Sequence, residues 1–188
     1  MLLLRLRDET RALHAEVEAL VPMLAPSLQL DVYREFLAAL WGVHRPLEEQ
    51  LGGVDGLRDA VPDLEQRFKS EALAADLAAL GIDAEQPSVT HDGPALDSIA
   101  CALGCMYVLE GSTLGGQHIH RHLRVVLPVA ASEASRFLTC YGAATGRMWN
   151  SFREHVERIE SDLDADASVD AALRTFAAVK ERFQELAS

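Results

Sequence analysis

The chain has 188 residues, a formal net charge of −12 and 49% hydrophobic residues. A chain of this length can bury a substantial core, and we expect residues 1–188 to form one domain. The acidic balance argues against nucleic-acid binding, which needs clustered Lys and Arg. No run of about 18 apolar residues occurs, and the apolar residues 1–4 are followed at once by charges. The sequence therefore predicts neither a membrane span nor a signal peptide, and we expect a cytoplasmic protein.

Nearly the whole sequence has the pattern of helices. Apolar residues recur at spacings of three and four, and no sustained alternation typical of strands appears. Pro22 and Pro26 end the first helix, Pro94 suits the first turn of the fourth, and Ser132 and Ser168 are candidate caps of the last two. The pattern predicts an all-α, single-domain multi-helix bundle of six or seven helices. Six of them are placed over residues 4–20, 31–51, 64–80, 95–127, 132–160 and 169–186, with a loop at 82–94 and an acidic connection at 161–167.

The first predicted helix carries a histidine beside its apolar face. His14 lies next to Leu13 and Val17, where a histidine is usually a satisfied core or boundary residue. A neutral imidazole is also the commonest protein ligand for transition metals, including haem iron. Arg7 precedes His14 by about 10 Å along the helix axis, with Thr10 on the face between them. That separation resembles the gap between a haem iron and its propionates.

The most distinctive segment reads Leu-Glu-Gly-Ser-Thr-Leu-Gly-Gly-Gln over residues 109–117, inside the predicted fourth helix. Each of Gly111, Gly115 and Gly116 costs about 1 kcal/mol relative to alanine in a helix. Two explanations are open. Another helix packs very close along a seam of small residues at Gly111 and Gly115, or a flat ligand lies directly against the backbone.

Two segments together resemble the haem oxygenase family. Residues 6–14 resemble the family's proximal helix with its axial histidine, and residues 107–117 resemble the glycine-rich distal helix that kinks over the haem. In style the sequence is most similar to short bacterial members found alongside bacteriophytochromes. The resemblance extends more weakly to residues 149–153 and to the closing helix around Phe176. It implies an enzyme that opens haem at one meso carbon with dioxygen and external electrons, and releases biliverdin, carbon monoxide and ferrous iron.

The resemblance implies roles for residues on the two faces of the haem, which would be both substrate and cofactor. His14 would be the axial iron ligand, Gly111 and Gly115 would contact the distal haem face, and Gly116 would help the helix bend. Many members have an aspartate after the first distal glycine, which orders the water molecules that deliver a proton. This chain has Ser112 there, which is shorter and uncharged but still bonds water. The change implies a compensating group or longer water chain, slower turnover, or haem binding without degradation.

The edge of the haem has its own candidate residues. Arg7 and Arg153 would pair with the propionates, as bidentate arginine suits a carboxylate. Thr10 lies between Arg7 and the histidine, and Tyr107 would place a hydroxyl near the pocket. Because the chain lacks a dinucleotide-binding fingerprint, electrons would come from a ferredoxin-like protein or a reductase. A bacteriophytochrome is one possible recipient of the biliverdin.

Other interpretations are open on the same residues. His118 and His122 have the spacing of a helical metal site, and Glu110 two turns earlier suggests a non-haem metal. The alternative for these histidines is a solvated polar patch beside Arg121 and Arg124. A haem or bilin carrier without catalysis is a further alternative. Glu110 is a poor substitute for the missing aspartate because it lies about 200° from the serine position around an ideal helix.

The remaining reactive residues have simpler interpretations. His44 is predicted to be structural, and His91 and His155 to be solvated. The odd, sparse set of cysteines is not a disulfide framework. The three are predicted to be buried thiols: Cys101, Cys105 and Cys140.

Overall fold

A computed structural model describes residues 1–84 and 93–186, and each regular element in these ranges is a helix. Short 3₁₀ turns occur at Leu64–Arg67, Gly142–Ala144 and Glu160–Asp162. The all-α fold class is therefore confirmed. The α-helices in the described ranges are α1 (Leu2–Leu20), α2 (Leu30–Gly53), α3 (Leu57–Ala60), α4 (Ser70–Ala79), α5 (Ile99–Val126), α6 (Pro128–Glu133), α7 (Thr145–Ile159) and α8 (Ala165–Leu186).

Helices α5 and α8 lie at the centre of the fold. Helix α8 packs along both α5 and α1, α2 packs on α8 and α4, and α7 packs on α5 and α1. Apolar side chains from these helices form one buried cluster that includes Leu6, Leu37, Leu103, Phe152 and Val179. By length and composition alone α5 is apolar enough to cross a membrane, but 61% of its most apolar window is buried inside the protein. It is a core helix, which agrees with the absence of a predicted membrane span.

The backbones of α5 and α8 touch at Gly104. A β-carbon built on Gly104 would lie 1.9 Å from the carbonyl oxygen of Ser168, so only glycine fits. Ser168 lies inside α8 and donates to the Asp164 carbonyl, so the prediction that it caps the last helix is wrong. Asp164 has that role, because its Oδ1 accepts from the backbone N–H groups of Asp166 and Ala167. Helix α8 consequently begins before the predicted residue 169, within the predicted acidic connection.

The single helix predicted over residues 132–160 is wrong. Helix α6 ends at Glu133, a non-helical stretch covers residues 134–141, and α7 begins at Thr145. The buried Asp76 carboxylate of α4 accepts from the backbone N–H groups of Arg136 and Phe137, at 2.9 and 2.8 Å. These bonds satisfy backbone groups outside a helix. Ser132 lies inside α6 and donates to the carbonyl of Val129, so it is not the predicted cap.

Further helix boundaries differ from the predictions. Helix α5 begins at Ile99, not at residue 95, because the Ser98 side chain accepts a hydrogen bond from the Cys101 N–H. The predicted helix over 64–80 divides into a 3₁₀ turn and α4, and the short α3 was not predicted. Residues 85–92 of the predicted loop lie outside the described residues, and these include Pro87, His91 and Asp92.

Candidate functional site

A cleft of about 650 Å³ opens between α1, α5 and α7. It is lined by Arg7 from α1, Tyr107 from α5 and Arg153 from α7, three of the predicted site residues. Leu4 and Trp149 contribute apolar surface to its wall. Residues far apart in the sequence thus meet around one cavity.

The cleft carries charges of both signs, because the carboxylates of Glu157 and Glu160 also line it. Three other predicted site residues are not among the described residues that line this cleft: His14, Gly111 and Gly115.

The two arginines of the cleft have only surface partners. Nε of Arg7 donates to the neighbouring Asp8, and Nη2 of Arg153 lies 3.6 Å from Glu157. The side chains of Arg7 and Arg153 are 59% and 47% exposed. Exposed pairs of this kind contribute little to stability, so a ligand carboxylate can replace the existing partners at small cost.

Tyr107 connects α5 to α1 at the inner end of the cleft. Its hydroxyl forms a side-chain hydrogen bond with Thr10, which is buried and donates to the Leu6 carbonyl. Burial raises the pKa of Tyr107, against smaller opposing effects from Thr10 and the Arg7 charge. The Tyr107 ring packs against Trp149 with 5.8 Å between centroids. The phenol is therefore neutral and held in place.

The glycines of α5 have different surroundings. A β-carbon on Gly116 would lie 3.1 Å from the Leu138 carbonyl oxygen, so this glycine allows close packing against the stretch 134–141. Apart from its chain neighbours and the nearby backbone of α5, no atom of residues 1–84 or 93–186 lies within 4 Å of such a β-carbon on Gly115. On Gly111 the nearest is a Trp149 ring atom at 4.0 Å. The interpretation of Gly111 and Gly115 as a helix-packing seam is therefore wrong, and bending at Gly116 stays a prediction.

His14 is held at an exposed position near the middle of α1. Its side chain is 56% exposed, and its Nδ1 lies 3.5 Å from the Glu18 carboxylate. The ring meets the edge of Phe176 from α8, with 5.7 Å between centroids and an interplanar angle of 83°. The contacts with Glu18 and Phe176 orient the imidazole.

Ser112 is exposed, whereas Glu110 on the same helix is buried. The Ser112 hydroxyl is exposed and donates to the Leu109 carbonyl at 2.8 Å, which leaves its oxygen as an acceptor. The Glu110 side chain is buried and only 1% exposed. The expectation that Glu110 does not replace the missing aspartate beside Ser112 is confirmed by this burial.

A buried charged cluster around Glu110 of α5 was not predicted from the sequence. The Glu110 carboxylate accepts from Arg67 Nη1 at 2.5 Å, Lys69 Nζ at 2.5 Å and the Tyr141 hydroxyl at 2.9 Å. All three partners are distant in sequence. The one available signal was a glutamate next to Leu109 on the apolar side of a core helix, which requires a buried partner.

The cluster continues from Arg67 toward α7. Arg67 donates to both carboxylate oxygens of Asp63, and its Nη1 also donates to the Met148 carbonyl at 3.2 Å. Burial by itself raises the pKa of Asp63, but the bonds and charge of Arg67 and the charge of His155 hold it below its usual range. His155 is 16% exposed and lies 3.4 Å from Asp63. The prediction of a solvated His155 is therefore wrong.

The structure argues against the alternative of a non-haem metal site at the histidines of α5. Glu110 is occupied by its buried partners, and His122 Nε2 lies 2.8 Å from the Ala25 carbonyl oxygen. Within the described ranges, no group of three or more potential ligands has an arrangement that would hold a metal ion. His118 is exposed, in agreement with a polar patch.

The other predictions have mixed outcomes. His44 is buried and structural as predicted, with its Nδ1 3.3 Å from Glu48. Of the cysteines, Cys105 is buried, Cys101 is half-buried and Cys140 is exposed, so the predicted burial holds fully only for Cys105.

Comparison with known proteins shows the family of the chain. The sequence model of the family described as Heme oxygenase matches residues 1–185. Heme oxygenase PigA of Pseudomonas aeruginosa is 30% identical over 156 residues, which are 83% of this chain and 77% of that protein. The NO- and CO-bound heme oxygenase of Neisseria meningitidis is similar with a TM-score of 0.81 and 25% identity, over 98% of this chain and 91% of that one. The chain therefore belongs to the haem oxygenase family and is an enzyme that cleaves haem.

Proposed function

We propose that this haem oxygenase binds haem between His14 of α1 and the backbone of Gly111 and Gly115 of α5. The haem would be opened at one meso carbon, with dioxygen and external electrons consumed and biliverdin, carbon monoxide and ferrous iron released. Haem is the substrate and, when bound, also supplies the iron that activates oxygen. The protein contributes binding, orientation and proton handling.

The observation that carries this proposal is the open face at Gly115. A β-carbon on Gly104 or Gly116 would meet a backbone carbonyl of another element at 1.9 or 3.1 Å, whereas one on Gly115 would meet no described atom within 4 Å beyond its chain neighbours and the nearby α5 backbone. A glycine that costs helix stability without easing protein packing requires another explanation. A flat ligand against the main chain supplies one, and Ser112 lies on the same segment.

The contacts of His14, the proposed iron ligand on the other face of the haem, also support the proposal. A neutral imidazole that binds a metal through one nitrogen is usually oriented by a partner at the other. Glu18 lies 3.5 Å from Nδ1, which favours the tautomer with the proton on Nδ1 and leaves Nε2 for the iron. The Phe176 edge limits rotation of the ring.

The cleft residues would hold the polar edge of the haem. Arg7 and Arg153 would bind the two propionates in place of Asp8 and Glu157, their present surface partners. Tyr107 would close the inner end of the cleft with a neutral hydroxyl. In this arrangement the two cations fix the in-plane rotation of the haem, and this selects the meso carbon that is cleaved.

Ser112 is the proposed residue for water at the distal face. Its hydroxyl proton is directed to the Leu109 carbonyl, so its oxygen would accept a hydrogen bond from a water molecule. Such a water would replace the one that a carboxylate orders in many relatives. The proton then comes from solvent through water and not from an acid at this position.

The wider setting rests on the family and on the sequence. The family implies a reductase partner in general, and we propose a ferredoxin-like protein or a reductase as electron donor. We propose that residues 1–188 act as one domain, supported by the family match over residues 1–185. A cytoplasmic location and use of the product by a bacteriophytochrome are proposed from the sequence, the latter from its similarity in style to short bacterial members of the family.

Haemin titration of the purified protein tests the proposal. We expect a sharp Soret band at one equivalent and, after reductant is added in air, conversion to biliverdin. His14→Ala should lose the wild-type Soret spectrum and biliverdin formation. Gly115→Leu should keep a folded apo protein but bind haem at least tenfold more weakly. Normal binding and turnover by His14→Ala would refute the proximal assignment, and normal binding by Gly115→Leu would refute the distal one.

A further inference from the structure

We propose that Glu110 is a positioning residue for haem: with Arg67 it forms a buried bridge that sets the distance between α5 and α7. This inference rests on the proposed function, because it concerns the shape of the cleft that receives haem. Glu110 does not touch the cleft space assigned to the ligand. It would act through Gly111, its neighbour in the chain, and through Trp149 on α7.

The bridge lies next to the contact between Gly111 of α5 and Trp149 of α7. Glu110 precedes Gly111 in α5, and Arg67 Nη1 donates both to the Glu110 carboxylate and to the Met148 carbonyl of α7. Met148 precedes Trp149, whose ring lies 4.0 Å from the β-carbon position of Gly111. One guanidinium group therefore links the Glu110 side chain of α5 to the Met148 carbonyl of α7. A shift of this group would change the gap between the glycine face and the indole.

The Glu110 carboxylate is fully used by its partners. Oε2 accepts from Arg67, while Oε1 accepts from both Lys69 and the Tyr141 hydroxyl. Lys69 Nζ also donates to the backbone carbonyl of Arg67, so the lysine side chain is bound to the chain segment that carries the arginine. Loss of the Glu110 charge would remove the carboxylate paired with the buried Lys69, while Arg67 would keep its pair with Asp63. Removing one member of a buried ion pair is strongly destabilising, so the arrangement is sensitive to this loss.

The cluster also fixes the chain segment that supplies the cations. The backbone N–H groups of Lys69 and Ser70 donate to the Glu48 carboxylate of α2, at 2.7 and 2.9 Å. Tyr141, the third partner of Glu110, ends the non-helical stretch ahead of α7, and its ring lies 5.3 Å from Lys69 Nζ. Glu110 thus connects α5 directly to two segments of the fold, residues 67–69 and the stretch 134–141.

The test uses Glu110→Gln, which keeps the shape and removes the charge. Tyr141→Phe is the milder variant, since it removes one hydrogen bond and no charge. Glu65→Gln is the matched control, because Glu65 forms an exposed ion pair with Arg58 in the same segment as Arg67. Each protein is studied by amide hydrogen exchange without haem, by haemin titration, and by the ratio of biliverdin isomers formed.

In Glu110→Gln we expect amide exchange at residues 109–116 to rise at least tenfold, with residues 100–106 unchanged. The haem Kd should rise at least tenfold and the isomer ratio should shift, while Glu65→Gln matches the wild type on all three measurements. Tyr141→Phe should change the same quantities in the same direction by a smaller factor. If Glu110→Gln does not fold, Tyr141→Phe decides the question.

A folded Glu110→Gln variant with an unchanged haem Kd and an unchanged ratio of biliverdin isomers would overturn the inference. Faster exchange along the whole of α5 with unchanged haem binding would also overturn it, since it indicates a role in general stability only. A wild-type protein that bound no haem would instead refute the proposed function. In that case the exchange measurement on the apo protein still tests whether Glu110 holds residues 109–116.

Discussion

The β-carbon position of Gly104 lies 1.9 Å from the carbonyl oxygen of Ser168, whereas that of Gly115 has no described atom within 4 Å beyond its chain neighbours and the nearby backbone of α5. We therefore expect Gly104→Ala and Gly115→Ala to have opposite effects on the apo protein. Gly104→Ala forces α5 and α8 apart and should lower the free energy of unfolding by about 3 kcal/mol. Gly115→Ala should raise it by up to about 1 kcal/mol, because alanine favours the helix.

Urea unfolding of the two apo variants, followed by circular dichroism, measures these changes. A destabilised Gly115→Ala would show that its face is covered in solution. A Gly104→Ala variant as stable as the wild type would show that α5 and α8 can separate without cost. Either result would contradict the distinction between Gly104, which is required for close helix packing, and Gly115, which is not.

The glycines of α5 show what the sequence could and could not predict. The all-α class and the existence of α1, α2, α5 and α8 follow from local periodicity, and the structure agrees. The sequence could not tell which glycine faces a backbone and which faces open space, because that depends on distant partners such as Ser168 and Leu138. The predicted ends of the helices were wrong for a related reason. The stretch 134–141 is held by Asp76, which no local pattern connects to it.

The residues that line the cleft were predicted from the sequence, but the buried cluster next to them was not. Arg7, Tyr107 and Arg153 were singled out through a family resemblance, and the structure brings them to one cleft. The cluster around Glu110 was missed because Arg67 lies 43 residues away in the chain. Charged residues in helices are usually solvated, so only their burial in the folded protein reveals the pairing.

The two cleft arginines should contribute to haem affinity through the propionates. We expect Arg7→Ala and Arg153→Ala each to weaken haemin binding about tenfold, consistent with about 1.5 kcal/mol for a charged hydrogen bond. Haemin titrations at equal ionic strength provide the dissociation constants. Arg174→Ala is the control, because Arg174 forms an exposed pair with Asp170 on α8.

Haemin dimethyl ester sharpens this comparison, since it lacks the propionate charges. Wild type, Arg7→Ala and Arg153→Ala should bind the ester with similar affinity. An arginine variant that weakens binding of the ester as much as binding of haemin acts on the fold of the cleft and not on a carboxylate.

Ser112 should limit the rate of haem opening without limiting haem binding. Its oxygen can position a water molecule but carries no acid proton for delivery. We expect Ser112→Asp to raise the rate of biliverdin formation and Ser112→Ala to lower it, each about tenfold or less, with the haem Kd within a factor of two or so of wild type. Single-turnover kinetics with excess reductant separates the rate from the affinity. Equal rates in all three proteins would place the proton route elsewhere.

The buried Glu48 should make the protein sensitive to acid. Burial by itself raises the pKa of this carboxyl, but the hydrogen bond and charge of His44, with hydrogen bonds from Ser70 and the Lys69 backbone, hold the pKa below its ordinary value of 4.5. A lowered folded-state pKa means that the stabilisation is complete above the unfolded value and is lost as pH falls through the folded one. Glu48→Gln should therefore cost about 3 kcal/mol at pH 7, and the difference from wild type should shrink below pH 4.5.

Thermal unfolding of wild type and Glu48→Gln between about pH 7 and pH 3 measures this difference. Asp63 also has a lowered pKa, so both proteins lose stability in acid, and the informative quantity is the gap between their Tm values. Glu65→Gln, at an exposed ion pair, should follow the wild-type curve throughout. A gap that stays constant over the whole range would mean that Glu48 acts through packing and hydrogen bonds that protonation does not disturb. A gap that closes in acid would attribute the stabilisation to the ionised carboxylate that holds Lys69 and Ser70 in place.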